Sequence, residues 1–282
     1  MIQLFNVNNH TIDTSEFSNL LHDKIVTDFE KEFASYVGAK YACSVNSATN
    51  AIFLCMLNKN TVVKIPSMIP PVVANAIITS GNKVEFYDDT DWVGHSYVLH
   101  TFEDYKIVDS AQKLEPNDLM IFSHYPTKPL GGADGGIVVT DDYKKHKWMK
   151  EAVLNGMTYA DNNWERGISF PGYKFYMSSI QAKIIMDNFK NFDKKMRSLG
   201  NLVDIYRIEV LDNEKFIENM KRDGIICGIH YPALHQNPIY GKKITKLSKS
   251  EKSQRRTVSL PMNEKLSFNE TEYIIDKVKE NM

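Results

Sequence analysis

The sequence has few cysteines, no long apolar run and almost no net charge. Its three cysteines (Cys43, Cys55 and Cys227) lie far apart without metal-ligand spacing, and its eight histidines show no such spacing either. No segment reaches the roughly 20 apolar residues of a membrane span, and the first residues lack the pattern of a signal peptide. The net charge of −1 argues against a dedicated nucleic-acid binder. We therefore predict a cytoplasmic protein with reduced thiols, no metal, and no nucleic-acid or membrane partner.

What the sequence does have is an alternation of short apolar runs with amphipathic segments. A helix over residues 28–36, ended by Gly38, precedes a strand at 41–46. Strands at 62–65 and 84–87 flank a helix that begins at two consecutive prolines. Such alternation predicts an α/β domain with a mostly parallel sheet flanked by helices.

The second half of the chain changes in character. Helices are predicted near 141–155 and 178–193, and a charged stretch at 191–197 marks the crossing to a smaller unit. That unit is predicted to hold a helix at 214–222, a strand at 225–229, a polar loop at 242–256 and a final helix from Ser267. We therefore predict a large domain over residues 1–195 and a small C-terminal α/β domain over residues 196–282.

The segment richest in chemical information is a turn between two apolar strands. Residues 119–122 predict the first strand and residues 137–140 the second, with Ser123, Lys128 and several glycines between them. Most loop lysines are solvated surface residues. A lysine on a tight turn after a buried strand is instead held where its amine meets whatever the strand ends bind. This placement suits an imine-forming lysine.

A second strand end supplies a carboxylate. Residues 106–109 predict a short strand that ends at Asp109, and Gln112 follows three residues later. Alone, Asp109 would be an ordinary turn or helix-capping carboxylate. Pyridoxal phosphate (PLP) requires a lysine for its aldehyde and a carboxylate at its pyridine nitrogen, and Lys128 and Asp109 fit these two roles. We expect adjacent strand ends to present both side chains.

A third candidate element is a helix start. Ser47, Ala48 and Thr49 open a predicted helix, with Ser or Thr as its N-cap. The ordinary interpretation is a helix cap and nothing more. The same unpaired N–H groups and the positive end of the helix dipole also bind anions, so this turn is a candidate site for a phosphate group.

Several ordered motifs from Phe29 to near the C-terminus resemble the nucleotide-sugar aminotransferases of the DegT/StrS family, which are PLP enzymes of fold type I. They are the opening helix, the turn at 46–51, the strand end at 108–112, the lysine segment at 123–136, and two C-terminal motifs at 228–235 and 259–262. The resemblance implies a PLP-transferase fold, a cytoplasmic homodimer, and glutamate and a nucleotide sugar as substrates.

The resemblance also implies a role for each candidate residue. Lys128 would hold PLP as an internal aldimine, Asp109 would meet the pyridine nitrogen, and Gln112 would contact the ring hydroxyl. The phosphate would be bound by Ser47, Ala48, Thr49 and Ser123. Lys174 would also contact the phosphate, across a dimer interface, or it would simply be a solvated lysine. Tyr125 and its neighbour His124 are expected near the substrate. The C-terminal His230, Tyr231 and His235 are expected there too, or else they are interface or core residues.

The sequence departs from the family pattern in several places. The chain is much shorter, and the compressed connection at 91–109 predicts the loss of a helix. Pro70 stands where the family has an aromatic residue that stacks on the PLP ring, and Ala48 stands for a glycine. In the segment at 172–177, Lys174 replaces an asparagine and Tyr176 an arginine.

We therefore predict a PLP-dependent aminotransferase that transfers an amino group from an amino acid, glutamate by preference, to a nucleotide-linked keto-deoxysugar. Two alternatives stay open. The sugar dehydratase branch of the family uses pyridoxamine with a histidine in place of the lysine, and Lys128 argues against it. A trimmed, non-catalytic relative that binds a ligand or partner is favoured by the short length, Pro70 and Ala48. The joint retention of Lys128, Asp109 and Gln112 opposes it, because a binding module has no need of an imine-forming lysine.

Overall fold

The computed structural model describes residues 1–7, 10–111, 119–158, 165–198, 205–241 and 246–282. The helices are α1 (Lys24–Val37), α2 (Ala48–Met56), α3 (Pro71–Thr79), α4 (Tyr143–Val153), α5 (Ser179–Phe189), α6 (Phe192–Ser198), α7 (Asn213–Arg222), α8 (Ser248–Arg256) and α9 (Phe268–Asn281). The strands are β1 (Tyr41–Val45), β2 (Val62–Pro66), β3 (Lys83–Tyr87), β4 (Tyr97–Thr101), β5 (Lys106–Asp109), β6 (Leu119–Ser123), β7 (Gly136–Thr140), β8 (Tyr206–Glu209) and β9 (Thr257–Leu260).

The central sheet has the strand order β1-β7-β6-β5-β4. Only β5 and β6 run parallel within it, whereas β1–β7, β6–β7 and β4–β5 are antiparallel pairs. A separate parallel pair joins β2 to β3. The predicted α/β class is confirmed, but the expectation of a mostly parallel sheet is wrong for the described strands. Short connections such as the one between β4 and β5 leave no room for a crossover, so they force antiparallel pairing.

Helices cover both faces of the central sheet. Alternate residues of one strand enter different clusters: Val138 packs with α2 and α3, while its neighbours Ile137 and Val139 pack with α1 and α5. This is the two-residue period of a strand. Because both faces are buried, β6 and β7 are almost continuously apolar. That continuity marks the two strands in the sequence.

The compressed connection after β3 folds as a hairpin arm. Residues 88–108 are all described, and they contain β4 and the start of β5 but no helix, in line with the compressed connection. The loop before β4 is anchored by Trp92, whose Nε1 donates a hydrogen bond to the Met68 carbonyl at 3.1 Å. Strand β4 then pairs with β5, so that Tyr97 lies directly opposite Asp109.

The C-terminal part has its own apolar cluster. This cluster includes Val210, Phe216, Met220 and Val258, and Ile2 packs against it. The first residues of the chain therefore join the C-terminal part, through a backbone bridge between Ile2 and Ile225. The predicted boundary between residues 195 and 196 falls inside α6, and the division into two domains stays a prediction.

Two local predictions in this part are wrong. The predicted strand at 225–229 forms only isolated bridges, and the described end of the predicted polar loop is the helix α8. The final helix is confirmed: Ser267 caps α9 in a capping box with Glu270. In the described part of the chain, the helices are too short or too polar to span a bilayer.

Candidate active site

A cavity of about 660 Å³ opens where the large sheet meets the C-terminal part. Most of the residues predicted for the site line it: Ser47, Ala48, Thr49, Asp109, Ser123, Tyr125, Lys128, His230 and Tyr231. The volume lies within the range of about 300–1,000 Å³ typical of small-molecule and cofactor sites. These residues, which come from separate sequence motifs, therefore line one cavity.

The lysine lies on a turn that the backbone holds tightly. The Lys128 N–H donates to the Tyr125 carbonyl at 2.9 Å. The chain then folds back so closely that a Cβ on Gly131 would lie 2.4 Å from the Pro126 carbonyl oxygen, a distance no side chain tolerates. This close approach explains why a glycine follows the lysine, and it fixes the position from which the lysine enters the cavity.

Asp109 is a buried carboxylate at the end of β5, and only 5% of its surface is exposed. Its Oδ2 accepts a hydrogen bond from the Tyr97 hydroxyl at 2.8 Å, and its Oδ1 accepts one from the Ala111 N–H at 3.0 Å. Burial raises the pKa of Asp109 above its ordinary value, while these two bonds and the charge of Lys128 act in the opposite direction. Burial therefore destabilises the ionised carboxylate of Asp109, and a further positively charged group beside it would stabilise it.

The opposite end of the cavity is a helix start. Ser47 is the N-cap of α2, and its hydroxyl accepts a hydrogen bond from the Asn50 N–H at 3.3 Å. A Cβ on Gly136 would lie 2.6 Å from the Ala48 nitrogen, so the start of β7 touches the helix end only because residue 136 is a glycine. This contact brings Ser123, which pairs with Gly136 across the strands, close to the turn. The arrangement is a ready anion site.

The cavity wall includes residues that the sequence did not reveal. Trp92 and His95 line it from the connection between β3 and β4, Tyr97 from the start of β4, and Phe5 from the N-terminal segment. The Trp92 ring lies nearly parallel to that of Tyr231, with centroids 6.0 Å apart. The one signal for these residues in the sequence is the tryptophan Trp92 in an otherwise mostly polar stretch.

His230 faces the lysine from the C-terminal part. Its Nδ1 pairs with the Ser259 hydroxyl at 2.9 Å. Burial first, and then the charges of Lys128 and Arg207, lower the pKa of His230 to about 4. His230 is therefore neutral at physiological pH and adds no positive charge beside the lysine.

Some predicted residues lie elsewhere. His235 does not line this cavity: it is buried, with Nδ1 2.5 Å from the Ser67 hydroxyl and Nε2 3.4 Å from Glu251 Oε1, which is a structural arrangement. His124, expected beside the substrate, points away from the cavity into the core between the rings of Phe29 and Phe33.

Lys174 is exposed and does not line the cavity of its own chain. Its charge, after that of Arg166, helps to lower the pKa of His22, for which burial is the main cause. The predicted contact of Gln112 lies outside the described residues.

The sequence of this chain matches a known protein family. The family model described as the DegT/DnrJ/EryC1/StrS aminotransferase family matches residues 7–93, 114–213 and 205–279. A UDP-4-amino-4,6-dideoxy-N-acetyl-beta-L-altrosamine transaminase of Campylobacter jejuni is 22% identical over 96% of this chain and 94% of its own.

Solved structures show the same fold. PseC of Helicobacter pylori, an aminotransferase involved in the biosynthesis of pseudoaminic acid, has a TM-score of 0.85 at 18% identity over 98% of both chains. The aminotransferase TlmJ of Streptoalloteichus hindustanus has a TM-score of 0.85 at 17% identity, covering 100% of this chain and 98% of its own. The fold type I class predicted from the sequence is thereby confirmed.

The hydrogen bond from Tyr97 predicts a pH-dependent loss of stability. Tyr97→Phe removes a donor from a buried carboxylate, so we expect the apo-protein to lose roughly 1–3 kcal/mol of unfolding free energy at pH 7. Because the pKa of Asp109 is already raised by burial and rises further without the donor, the loss should shrink as the pH falls toward 4 and the carboxylate becomes protonated. Urea unfolding at the two pH values measures it.

Tyr206→Phe is the matched control, since Tyr206 lies on β8 and is 49% exposed. Its effect should be small at both pH values. An equal loss for Tyr97→Phe at pH 7 and pH 4 would contradict the account, because the hydroxyl would then not act on the charge of Asp109.

Proposed function

The chain belongs to the DegT/DnrJ/EryC1/StrS aminotransferase family, and on that premise we propose that it transfers an amino group from glutamate to a nucleotide-linked keto-deoxysugar. PLP is the proposed cofactor. One observation carries the proposal: Lys128, Asp109 and the start of α2 line a single cavity. These three groups match the aldehyde, the pyridine nitrogen and the phosphate of PLP, in that order.

The helix start fits the phosphate group. The Asn50 and Ala51 N–H groups bond to Ser47, whereas the N–H groups of Ala48 and Thr49 come too early in α2 for a carbonyl within the helix. The positive end of the helix dipole favours an anion there. The hydroxyls of Ser47, Thr49 and Ser123 border the same end of the cavity. We propose that these groups bind the phosphate together, without the glycine that the family usually has at position 48.

Asp109 fits the ring nitrogen. When bound, PLP supplies an electron-accepting ring that stabilises negative charge at the carbon from which a proton is removed. A protonated ring nitrogen beside Asp109 would offset the burial of its carboxylate, so Asp109 would hold that proton in place. Tyr97 and the Ala111 N–H orient the carboxylate for this contact.

Lys128 is the proposed proton carrier. Its amine would hold the cofactor through the aldehyde. Once free, the same amine would accept the proton from the donor Cα and return it to the cofactor side. His230, which is neutral and close to Lys128, orients groups in the cavity without competing as a cation. The aromatic pair of Trp92 and Tyr231 excludes water from this side.

We propose that two copies of the chain complete each other's sites. The Asn46 N–H donates to the Phe175 carbonyl at 2.7 Å, so the segment at 172–177 runs beside the phosphate turn. Lys174 nevertheless lies exposed, outside the cavity of its own chain. In a two-fold dimer, Lys174 would reach the phosphate in the partner's site.

The role of Lys128 is tested by trapping. Reduction of the PLP-loaded protein with borohydride should attach the cofactor to the peptide that contains Lys128. Glutamate should bleach the visible band of the wild type and release 2-oxoglutarate. Lys128→Ala should abolish both results while the protein still unfolds cooperatively, with a small decrease in the unfolding midpoint because Asp109 loses a nearby positive charge. Lys190→Ala, at an exposed lysine, is the control. Attachment to a different lysine would refute the assignment.

The role of Lys174 is tested by complementation. Lys174→Ala should weaken PLP binding by about tenfold, the scale of one charge-assisted contact, with little change in unfolding. Mixed dimers of Lys174→Ala and Lys128→Ala chains should regain activity, because one of their two sites combines an intact Lys128 with an intact Lys174. An active monomer, or unchanged PLP affinity in Lys174→Ala, would exclude the shared site.

A further inference from the structure

His124 is a fully buried histidine at the base of the lysine turn. Its backbone N–H donates to the Gly135 carbonyl at 2.9 Å, and its own carbonyl accepts from the Gly132 N–H at 2.9 Å. The ring nitrogen Nδ1 lies 2.8 Å from the Leu130 carbonyl oxygen. The residue therefore bonds to the backbone of the turn at three places, and all three come after Lys128 in the chain.

The bond to Leu130 fixes the position of the proton on the His124 ring. A carbonyl oxygen only accepts, so Nδ1 carries the proton that is donated to Leu130. Burial lowers the pKa of His124 to about 4, although the bond to Leu130 acts in the opposite direction. The ring is therefore neutral at physiological pH, and Nε2 carries no proton. Among the described residues, Nε2 has no hydrogen-bond partner.

An imidazole is costly to bury in these surroundings. The rings of Phe29 and Phe33 pack edge-on against His124, with centroids 5.3 and 5.5 Å away. A third phenyl ring would suit this cluster and would bury no polar atom, whereas His124 buries an unpaired Nε2. What the imidazole adds, and a phenyl ring cannot supply, is the bond from Nδ1 to Leu130. The cost of the buried Nε2 thus indicates a role for that bond.

The Nδ1 bond spans two groups that line the main cavity. Ser123 precedes His124 at the end of β6, and Lys128 lies two residues before Leu130. Strand pairing places Ser123 opposite Gly136, so the position of Ser123 does not depend on the imidazole. The turn that carries Lys128 lies outside the sheet and returns to the core at Leu130, where the His124 ring holds it.

We propose that His124 is a positioning residue that sets the spacing between the Lys128 amine and the phosphate site at Ser123. This inference rests on the proposed function, in which PLP spans these two groups. A cofactor that is bound through its phosphate presents its aldehyde at one place, so a small displacement of the amine slows the reaction between them. His124 does not line the cavity, and it therefore acts only through the turn.

Two probes separate the position of Lys128 from the phosphate site. Pyridoxine 5′-phosphate has the ring and the phosphate of PLP but no aldehyde, so its affinity reports the cavity without the amine. Stopped-flow absorbance follows the visible band that appears when the Lys128 amine reacts with the PLP aldehyde, with loss of water. His124→Phe should slow this reaction about tenfold, the scale of one net hydrogen bond, and change the affinity for pyridoxine 5′-phosphate less than about twofold.

His124→Asn is the conservative variant. The asparagine Nδ2, like Nδ1 of histidine, is bonded to Cγ and can donate to the Leu130 carbonyl. Asparagine leaves a void between the phenyl rings, so this variant should be less stable than His124→Phe in urea unfolding and yet react faster with PLP. A purely structural role predicts the reverse order of rates.

His100→Phe is the matched control. His100 also packs edge-on against a phenylalanine ring, at 4.6 Å from that of Phe102, but it lies on β4 and not in the lysine turn. Both probes should keep their wild-type values in this variant. Nitrogen NMR of the apo-protein adds a test without PLP: His124, assigned by the signals lost in His124→Phe, should show a protonated Nδ1 and an unprotonated Nε2 at pH 7.

The outcomes separate this inference from the proposed function. A wild-type rate of reaction with PLP in His124→Phe would overturn the inference and leave the proposed function intact. The opposite tautomer of His124 would also overturn it, as would a loss of affinity for pyridoxine 5′-phosphate as large as the loss of rate. Failure of the wild type itself to react with PLP would refute the proposed function, and with it this role of His124.

Discussion

The buried carboxylate of Asp109 is the constraint on which the rest of the site depends. A carboxylate that is 5% exposed is costly to keep ionised unless donors and positive charges surround it. The chain supplies the Tyr97 hydroxyl, the Ala111 N–H and the charge of Lys128. Each comes from a different segment, so the position of Asp109 ties the β4 arm, the end of β5 and the lysine turn to one another. A cationic ring nitrogen beside Asp109 would further offset the cost of burying its ionised carboxylate.

The connection after β3 supplies a large part of the cavity wall. The connection between β3 and β4 has no helix in its described residues, yet it brings Trp92 and His95 into the cavity, and Tyr97 follows at the start of β4. Aromatic side chains thus line the cavity together with Pro70. The proposal of an enzyme and not a non-catalytic relative rests on the buried carboxylate of Asp109, its donor Tyr97 and Lys128 lining one cavity.

The sequence predicted those parts of the site that local chemistry specifies. Gly131 and Gly136 are required by close backbone approaches, Ser47 by a helix cap, and the apolar runs of β6 and β7 by burial on both faces. These signals placed Asp109 at the end of β5 and Lys128 on the turn after β6, and β5 and β6 are neighbours in the sheet.

The contribution of Tyr97 was not predictable, because it depends on the register of β4 against β5, which no local pattern encodes. Strand direction was misjudged for the same reason. Helix α8 was missed because it is almost wholly polar and buries only Ser250, which Asp88 holds through two hydrogen bonds. His235 carries a family-like motif, but its place is decided by Ser67, a residue 168 positions away.

Asp109 is proposed to hold a proton on the ring nitrogen of PLP, and nitrogen NMR detects that proton. The protein is reconstituted with PLP labelled with ¹⁵N in the ring, and the chemical shift of that nitrogen is compared between the wild type and Asp109→Asn. The account predicts a protonated ring nitrogen in the wild type and an unprotonated one in the variant, with PLP bound in both. An unprotonated nitrogen in the wild type, or a protonated one in Asp109→Asn, would contradict it.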